Sequence, residues 1–354
     1  MSNIFVCHRP YQAVRSYDLA TGKYKGDVNI LVIFNLIDIN TNLYQDFINF
    51  GEIEKAFTKV LKISRNDDVH IFNLKKFDHY YKEKVAQFKS TVDEFGDCKR
   101  VFFFSDLERP VEILVSLIKE KTHAKTVIVD EGIAAYYKPD GILWRNIVKK
   151  ILVKVKGYRY LNTSASYGQS HIYDEALASF PDKCIFKKPI YSLDKLNSDL
   201  LSNIAPTERI FRSDKKHIIY VSSILNFAPE KISCKDESNE IQRLIEICSK
   251  VGYDFYIKPH PVQDISYYKS FSNELIIDPK IPVELLFRNN VIIISVVSSS
   301  MINAYFQQVE TIDISELFEI KRHYKLFDDL KIKRPINHKE FEIILSRLYN
   351  KMYS

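Results

Sequence analysis

The sequence predicts an α/β protein of two domains, each built around a mainly parallel sheet. Apolar, β-branched runs of strand length alternate along the chain with longer stretches of helical periodicity, which is the pattern of successive β-α units. The chain has 354 residues, more than a single hydrophobic core usually supports. Several strand-like runs end abruptly in polar residues, as strands do where a ligand binds at the carboxyl edge of an α/β sheet.

The composition is that of an ordered globular protein, with 46% hydrophobic residues, 23 Phe, 22 Tyr and only 9 Gly. Five cysteines without metal-ligand spacing indicate a reducing cytoplasm rather than a disulfide framework. No apolar run has the length of a membrane span and no signal sequence is evident, so we expect a cytoplasmic protein. The net charge of +6 is modest and no nucleic-acid-binding motif accompanies it, so a nucleic acid is not an expected partner.

The first predicted domain covers residues 1–205. Its first strand leads directly into a helix, which is how α/β domains begin. Between 165 and 206 the pattern breaks into short pieces punctuated by prolines, and we interpret that stretch as the crossing to the second domain. We expect strands at 3–7, 29–34, 69–72, 99–104 and 126–129, and helices at 11–19, 53–61 and 77–91.

The second predicted domain covers residues 206–354. A helix at 237–250 carries Ile241, Leu244 and Cys248 at the spacing of a buried stripe. We expect strands at 217–221, 255–257, 274–277 and 291–297, and further helices at 301–305 and 341–349.

The segment Lys258-Pro259-His260-Pro261 ends the strand at 255–257. Each proline fixes its φ angle and removes a backbone donor, and each forces the preceding residue into an extended conformation. His260 is therefore held in a rigid loop at the carboxyl end of a strand, where α/β proteins bind ligands. A histidine that only satisfies a backbone carbonyl is the alternative that this segment alone leaves open.

Two further strand ends carry polar clusters. Asp130-Glu131-Gly132 follow the strand at 126–129, and adjacent side chains on a strand point to opposite sides, so only one acid can face a given ligand. A carboxylate desolvated at such a position can act as a general base. Ser298-Ser299-Ser300 precede a helix, whose amino terminus and free amides form a phosphate-binding position.

The order of these motifs, acid-acid-glycine, Lys-Pro-His-Pro and a serine pair, resembles that of bacterial sialyltransferases with D/E-D/E-G, HP and S/T motifs. The resemblance is closest to the lipooligosaccharide and capsule sialyltransferases of glycosyltransferase family fifty-two. It implies a GT-B architecture, with two Rossmann-like domains facing a central cleft. It also implies an inverting transfer of sialic acid from CMP-sialic acid to a galactose-type hydroxyl of a surface glycan or glycolipid. Because CMP carries one phosphate and no DxD-type acidic cluster is evident, we expect no metal and no other cofactor.

The resemblance also implies roles for individual residues. His260 would stabilise the leaving phosphate, and one of Asp130, Glu131 and Asp236 would be the base, the last because a family member has its base shortly before the HP motif. Donor-binding residues would be Lys258, Pro261, Glu284, Ser222, Ser298, Ser299 and Ser300, and acceptor-side residues would be Pro10, Gln12 and Gly132. Glu284 fits a first helical turn equally well, because the helix dipole favours an acid there.

Residues 144–159 alternate cations with apolar and aromatic side chains. The segment either lies on an anionic membrane surface, at the inner face of the cell membrane, or is a surface helix with a solvated basic face, and both interpretations stay open.

Two other functions also stay open: a GT-B hexosyltransferase with a different nucleotide donor, and a non-catalytic nucleotide-binding protein of polysaccharide assembly. The oligomeric state is open as well, a homodimer included.

Overall fold

The computed structural model describes residues 1–34, 49–63, 73–137, 143–164, 167–204, 211, 215–223, 233–261, 263–296, 298–321 and 324–351. Within it the chain divides into two compact units, Met1–Ile204 and Ala205–Ser354. Each unit is an α/β domain with its own parallel sheet and its own apolar core.

The first unit contains a seven-stranded sheet in the order β3-β2-β1-β4-β5-β6-β7, and every neighbouring pair is parallel. The chain builds outward from β1 to β3 and then crosses back to β4, so the direction of strand order reverses between β1 and β4. In open α/β sheets, ligands bind beyond the carboxyl ends of the strands at such a point. The strands are β1 Ser2–Cys7, β2 Val28–Phe34, β3 Lys59–Ile63, β4 Cys98–Phe103, β5 Lys125–Val129, β6 Glu175–Ala178 and β7 Ile190–Ser192.

Strand β1, the third of the seven in sheet order, is buried on both faces, which explains the apolar run Ile4–Cys7. Phe5 stacks on Phe102 of β4 with ring centroids 4.7 Å apart, while Ile4 and Val6 belong to the core on the opposite face. The helices of this unit are α1 Pro10–Thr21, α2 Phe50–Lys55, α3 Leu74–Asp93, α4 Arg109–Thr122, α5 Leu143–Val155 and α6 Ser198–Ile204.

The second unit contains a four-stranded parallel sheet in the order β11-β10-β8-β9, whose order reverses between β8 and β10. Ile241, Leu244 and Cys248 are fully buried in its core, so the predicted helical stripe is confirmed. The strands are β8 His217–Val221, β9 Asp254–Lys258, β10 Val291–Ser295 and β11 Glu310–Asp313, and the helices are α7 Cys234–Val251, α8 Ser299–Phe306, α9 Lys325–Asp329 and α10 His338–Lys351.

The prediction of a helix at 53–61 is wrong. Helix α2 ends at Lys55, and β3 begins at Lys59, where Val60 and Ile63 pair in register with Leu31 and Phe34 of β2. The conformation of this short segment is determined by its pairing with β2 and not by the helical periodicity of its own sequence. The strand expected at 69–72 lies outside the described residues.

Two other predictions of secondary structure are also wrong. The stretch 165–206 was expected to be a crossing, but it contributes β6 and β7 to the first sheet, and these strands are too short to give a clear period. The strand expected at 274–277 is instead a 3-10 turn, Asn273–Leu275, followed by a single bridge from Ile276 to Ile257 of β9. None of the helices in the described ranges is long and apolar enough to cross a membrane.

Candidate active site

Three neighbouring strands of the first sheet end in polar residues at the same edge. His8 and Arg9 follow β1, Asp106 lies three residues beyond β4, and Asp130 with Glu131 follows β5. Because β1, β4 and β5 are adjacent and parallel, their carboxyl ends bring these side chains to one edge of the sheet.

Gln12 connects the end of β1 with the end of β5. It lies buried in the first turn of α1, where its Oε1 accepts hydrogen bonds from the backbone N atoms of His8 and Arg9 at 2.7 and 3.2 Å. Its Nε2 donates to Oε1 of Glu131 at 2.8 Å. The more exposed Arg9 places Nη1 3.3 Å from the same carboxylate oxygen. Glu131 is therefore held by an amide and a cation at the edge of the sheet.

The two adjacent acids diverge, as their position at a strand end predicts. Asp130 is buried, and its oxygens accept from the backbone N atoms of Gly132 at 2.7 Å and Ser179 at 3.2 Å and from the hydroxyl of Tyr136. Burial raises the pKa of Asp130, and these hydrogen bonds act in the opposite direction. Gly132 has a φ of 126°, which a side chain would strain. Asp130 thus shapes the turn, while Glu131 faces Gln12 and Arg9.

The first unit also contains two buried acids, Asp106 and Glu112, outside the site residues named from the sequence. Asp106 accepts from the backbone N atoms of Gly168 and Ser170 at 3.0 and 3.2 Å, and burial raises its pKa to about 6. Glu112 on α4 accepts from the backbone N of Asn162 at 3.0 Å, and burial raises its pKa to about 7. Ser105-Asp106 is a polar pair shortly after β4 and so has a local signal in the sequence, whereas Glu112 lies on a helix and has none.

Lys258 and the two prolines shape the loop after β9 in the second unit. Lys258 is almost completely buried, and its Nζ donates to the carbonyl oxygens of Pro259 at 3.0 Å and Pro279 at 2.9 Å. Burial lowers the pKa of Lys258 to about 8, and the nearby charge of Glu284 acts against that effect. The lysine therefore connects the loop of His260 to the segment that precedes the 3-10 turn Val283–Leu286, which contains Glu284. His260 itself is half-buried.

The serine cluster lies where the sequence predicts it, at the start of helix α8. Ser298 is the N-cap residue, and its hydroxyl accepts from the backbone N of Ser300 at 3.3 Å, while Ser299 is exposed. Glu284 is buried in the turn Val283–Leu286 and accepts from Nδ2 of Asn303, on the same helix, at 3.0 Å. Glu284 and the serines are thus associated with one helix.

Ser222 and Asp236 lie in different surroundings, one buried and one exposed. Ser222 is 2% exposed, and its hydroxyl takes part in hydrogen bonds beneath the loop of His260, so it does not line an open phosphate position. Asp236 is exposed in the first turn of α7, where its carboxylate accepts from the hydroxyl of Ser233 at 2.5 Å. The neighbouring Glu237, which sequence reasoning did not select, is buried beneath that same loop. The contacts of Ser222 give it a supporting position beneath the loop of His260.

The chemistry available differs between the two units. In the first, a carboxylate held by an amide and a cation can accept a proton or a hydrogen bond from a hydroxyl group. In the second, a half-buried imidazole and a serine-capped helix start can bind a phosphate. Among the residues with described positions, no group of three or more His, Cys, Asp or Glu side chains could hold a metal ion.

Comparison with solved structures identifies the class of fold. The wall teichoic acid polymerase TagF matches with a TM-score of 0.50 at 11% identity, over 99% of this chain and 81% of that chain. A structure of LpCGTa in complex with UDP matches with a TM-score of 0.51 at 8% identity, over 98% and 90% of the two chains. The protein thus has the GT-B fold of glycosyltransferases, with two Rossmann-like sheets, as the sequence predicted.

The family model described as alpha-2,8-polysialyltransferase matches residues 3–312. The chain belongs to this family, and it is a sialyltransferase-type glycosyltransferase. The expectation of a sialyltransferase is therefore confirmed at that level, whereas membership of family fifty-two is not confirmed by this match. A search of curated proteins gave no significant match.

Proposed function

We propose that this protein transfers sialic acid from CMP-sialic acid to a hydroxyl of a bacterial surface glycan, with inversion at the anomeric carbon. The observation that carries the proposal is the pair of strand ends in the second unit: a half-buried histidine in a fixed loop after β9, and a serine-capped helix start after β10. An imidazole and a helix amino terminus suit one departing phosphate, which is what CMP provides. The order of motifs supports kinship with family fifty-two among sialyltransferases.

The second domain, residues 206–354, binds the donor in this proposal. His260 hydrogen-bonds or protonates the leaving phosphate, and the hydroxyls of Ser299 and Ser300 with the backbone N–H of Ser299 bind its oxygens. The Nζ of Lys258 donates to two carbonyl groups beneath the loop. Lys258 therefore acts on the phosphate through its positive charge and not through a direct hydrogen bond. Pro261 is exposed beside His260 and borders the same position.

Glu284 is the proposed partner of the ribose hydroxyls of CMP. Its position beside helix α8 supports this role, since Asn303 of that helix donates to one of its carboxylate oxygens and orients the group. A carboxylate that accepts two vicinal hydroxyl groups would place the nucleoside next to the serine-capped helix start. Ser298, as the N-cap, sets the geometry of that helix start.

The first domain, residues 1–205, binds the acceptor and supplies the base. Glu131 takes the proton of the acceptor hydroxyl while the oxygen of that hydroxyl attacks the anomeric carbon. The bond from that carbon to the phosphate oxygen breaks, and CMP leaves with the bonding electrons. Gln12 and Arg9 orient Glu131. Asp130 is the weaker candidate because its carboxylate is buried and bonded within the turn. Pro10 and Gly132 border the acceptor position.

The family and the motifs favour different acceptors. An alpha-2,8 linkage, named in the description of the family, requires an acceptor that ends in sialic acid. The motif resemblance favours a galactose-type hydroxyl instead. Since the family match spans residues 3–312, we propose the sialic acid acceptor first and the galactose acceptor second, on a lipooligosaccharide or a capsule polysaccharide.

One assay tests the donor, the acceptor and the catalytic role together. The purified protein is incubated with CMP-sialic acid or with UDP-sugars, each in the presence of an acceptor that ends in sialic acid or in galactose. Release of CMP with elongation of one acceptor supports the proposal and names the acceptor. Release of UDP would favour the hexosyltransferase, and nucleotide binding without release would favour a non-catalytic protein of polysaccharide assembly.

We further propose that the protein works in the cytoplasm, at the inner surface of the membrane. Helix α5 supports this, because Ile147, Ile151 and Val155 recur every four residues and are 52%, 55% and 77% exposed. The exposed Lys150 and Lys154 lie between them, and residues 143–155 contain no acid. An apolar stripe flanked by lysines complements an anionic lipid surface better than it complements water.

A further inference from the structure

Gln263 bonds both backbone polar groups of His260. Its backbone N donates to the carbonyl oxygen of His260 at 2.8 Å, and its side-chain Oε1 accepts from the backbone N of His260 at 3.4 Å. The carbonyl oxygen of Pro259 accepts from Nζ of Lys258, and Pro261 has no N–H to donate, so the two bonds from Gln263 add to that of Lys258 in fixing the peptide units on either side of the histidine. The orientation of His260 therefore depends on where Gln263 is held.

Gln263 is held from below by a short chain of hydroxyl groups. The hydroxyl of Tyr268 donates to Oγ of Ser222 at 2.6 Å, and the hydroxyl of Ser222 in turn lies 3.0 Å from Oε1 of Gln263. The backbone N of Ser222 also donates to the carbonyl oxygen of Lys258 at 3.0 Å, which ties the end of β8 to the end of β9. Movement of Ser222 would thus move the amide that holds His260.

Glu237 lies at the base of this chain. It is fully buried, and its carboxylate accepts from the hydroxyls of Tyr220 at 2.9 Å and Tyr267 at 2.8 Å. Its Oε1 is also 3.4 Å from Oγ of Ser222 and 3.5 Å from the hydroxyl of Tyr268. We call Tyr220, Ser222, Glu237, Gln263, Tyr267 and Tyr268 the Glu237 network.

The Glu237 network contains more buried polar groups than a packed core requires. A buried carboxylate is costly unless hydrogen bonds replace its water, and here tyrosine and serine hydroxyls supply them. Burial raises the pKa of Glu237, and the same hydroxyls act against that shift. Phenylalanine at Tyr220, Tyr267 and Tyr268 with an apolar residue at 237 would fill the same space without this expense. What such a core would lose is the polar connection to the amide of Gln263.

We propose that Gln263 is a positioning residue for His260, and that the Glu237 network fixes Gln263 through Ser222 and Tyr268. The inference rests on the proposed function, in which His260 meets the leaving phosphate. A displacement of about 1 Å in a group that acts on the transition state can lower the rate by roughly a hundredfold. Gln263 therefore affects the reaction rate only through the position of His260.

The test is a double-mutant cycle with Gln263→Leu and His260→Ala. We expect Gln263→Leu to lower kcat by roughly ten- to a hundredfold while the KM for the donor changes by less than about threefold. In the His260→Ala background the same substitution should have no further effect, because nothing remains to be positioned.

Wild-type turnover by Gln263→Leu, or an equal loss in the His260→Ala background, would overturn the inference. If Gln263→Leu does not fold, Tyr267→Phe replaces it in the cycle, since it removes the 2.8 Å bond to Glu237 without touching the loop. The matched control is Tyr253→Phe, which removes a buried hydroxyl bonded to the carbonyl of Leu345 at 3.3 Å, away from the Glu237 network. That control should cost stability and leave kcat unchanged.

A second measurement does not need turnover and separates the two proposals. The imidazole signals of His260 in NMR spectra of the histidine-labelled protein are assigned with the His260→Ala variant. Gln263→Leu should shift or broaden these signals, while Tyr253→Phe should leave them in place. Absence of CMP release by the wild type would contradict the proposed function but not the positioning role of Gln263. Unchanged imidazole signals in Gln263→Leu would contradict the positioning role.

Discussion

Nε2 of Gln12 donates to Oε1 of Glu131 across 2.8 Å and so joins the first turn of α1 to the end of β5. The Oε1 atom of the same amide accepts from the backbone N of His8 at 2.7 Å. Rotation of the amide by half a turn would place N–H against N–H, so the orientation of Gln12 is fixed. The carboxylate of Glu131 is consequently presented in one orientation at the edge of the first sheet.

We predict that Glu131→Gln lowers turnover by roughly two orders of magnitude or more, because the amide cannot take the proton of the acceptor. Donor binding should survive in this variant. Asp236→Asn is the matched control and should stay near wild-type activity, since Asp236 is exposed and bonded to Ser233. Initial rates of CMP release and a donor titration provide the measurement. A larger loss in Asp236→Asn than in Glu131→Gln would transfer the role of base to Asp236.

Asp130→Asn should behave differently from Glu131→Gln. Its carboxylate accepts from two backbone N atoms and from Tyr136 in a buried turn, and an amide offers one acceptor atom in place of two. We therefore expect a lower unfolding temperature together with a partial loss of turnover. Thermal unfolding monitored by circular dichroism checks this prediction. An unchanged unfolding temperature with complete loss of turnover would mean that Asp130 acts in the reaction itself.

His260→Ala should remove most of the transfer activity, roughly a hundredfold or more, while the protein still binds nucleotide. The histidine is half-buried in a loop that Lys258, Pro259 and Pro261 hold in place, so its side chain is not needed to fill the core. The measurement is kcat together with the dissociation constant of CMP. A variant with wild-type turnover would remove His260 from the proposed mechanism.

The strand ends were readable in the sequence because β-branched runs stop abruptly at polar residues. This identified the Asp130, His260 and Ser298 segments, since strand, breaker and cap signals are local. The partners Gln263 and Asn303 were not predictable, because no local pattern states which distant amide meets a given turn or carboxylate. Tertiary contacts of this kind come from the packing of elements that are far apart in the chain.

The sequence analysis named Asp236 and not its neighbour Glu237, although helical periodicity marks position 237 as buried. The buried stripe Ile241, Leu244 and Cys248 extends backward by four residues to 237, so Glu237 belongs to the inner face of α7. The short strands β6 and β7 offered no such help. With four and three residues, they contain too few positions for a period of two to be recognised.

Glu112→Gln should make the stability of the first unit less dependent on pH. Burial raises the pKa of Glu112 from 4.5 to about 7, so between these values the folded state binds more protons than the unfolded state. The contribution of Glu112 to stability is therefore fully present below about pH 4.5 and is lost as the pH rises through about 7. The full effect is on the order of 3 kcal/mol.

Unfolding temperatures of the full chain at closely spaced pH values check this prediction. The wild type should lose stability across that window more steeply than Glu112→Gln. Glu120→Gln is the matched control on the same helix, because Glu120 is exposed and pairs with Arg159 at the surface. Parallel pH profiles for the wild type and Glu112→Gln would contradict the raised pKa of Glu112.

The exposed stripe of α5 should carry membrane binding. We expect the protein to sediment with vesicles that contain anionic lipid, and a variant with Ile147→Ser and Ile151→Ser to bind at least tenfold more weakly. Each isoleucine contributes about 1.5–3 kcal/mol when its side chain leaves water. Val28→Ser is the matched control, since Val28 is 48% exposed on β2 rather than on α5. Equal binding by both variants would leave α5 as a solvated surface helix.

Turnover should persist in excess EDTA, and the reason lies in the charge of the leaving group. A nucleoside diphosphate carries more negative charge than CMP, and many enzymes offset that charge with a divalent ion held by carboxylates. The second unit offers His260, the buried Lys258 and the serine-capped start of α8 instead, which together suit one departing phosphate.

The carboxylates of Asp130 and Glu131 are not arranged to share an ion. Asp130 is turned inward to the backbone N atoms of Gly132 and Ser179, while Glu131 faces Gln12 and Arg9, so the two groups diverge. Initial rates of CMP release with EDTA, and with manganese added back, provide the measurement. Loss of turnover on chelation and its recovery with manganese would contradict this account, and a transferase with a nucleoside diphosphate donor would then explain the site better.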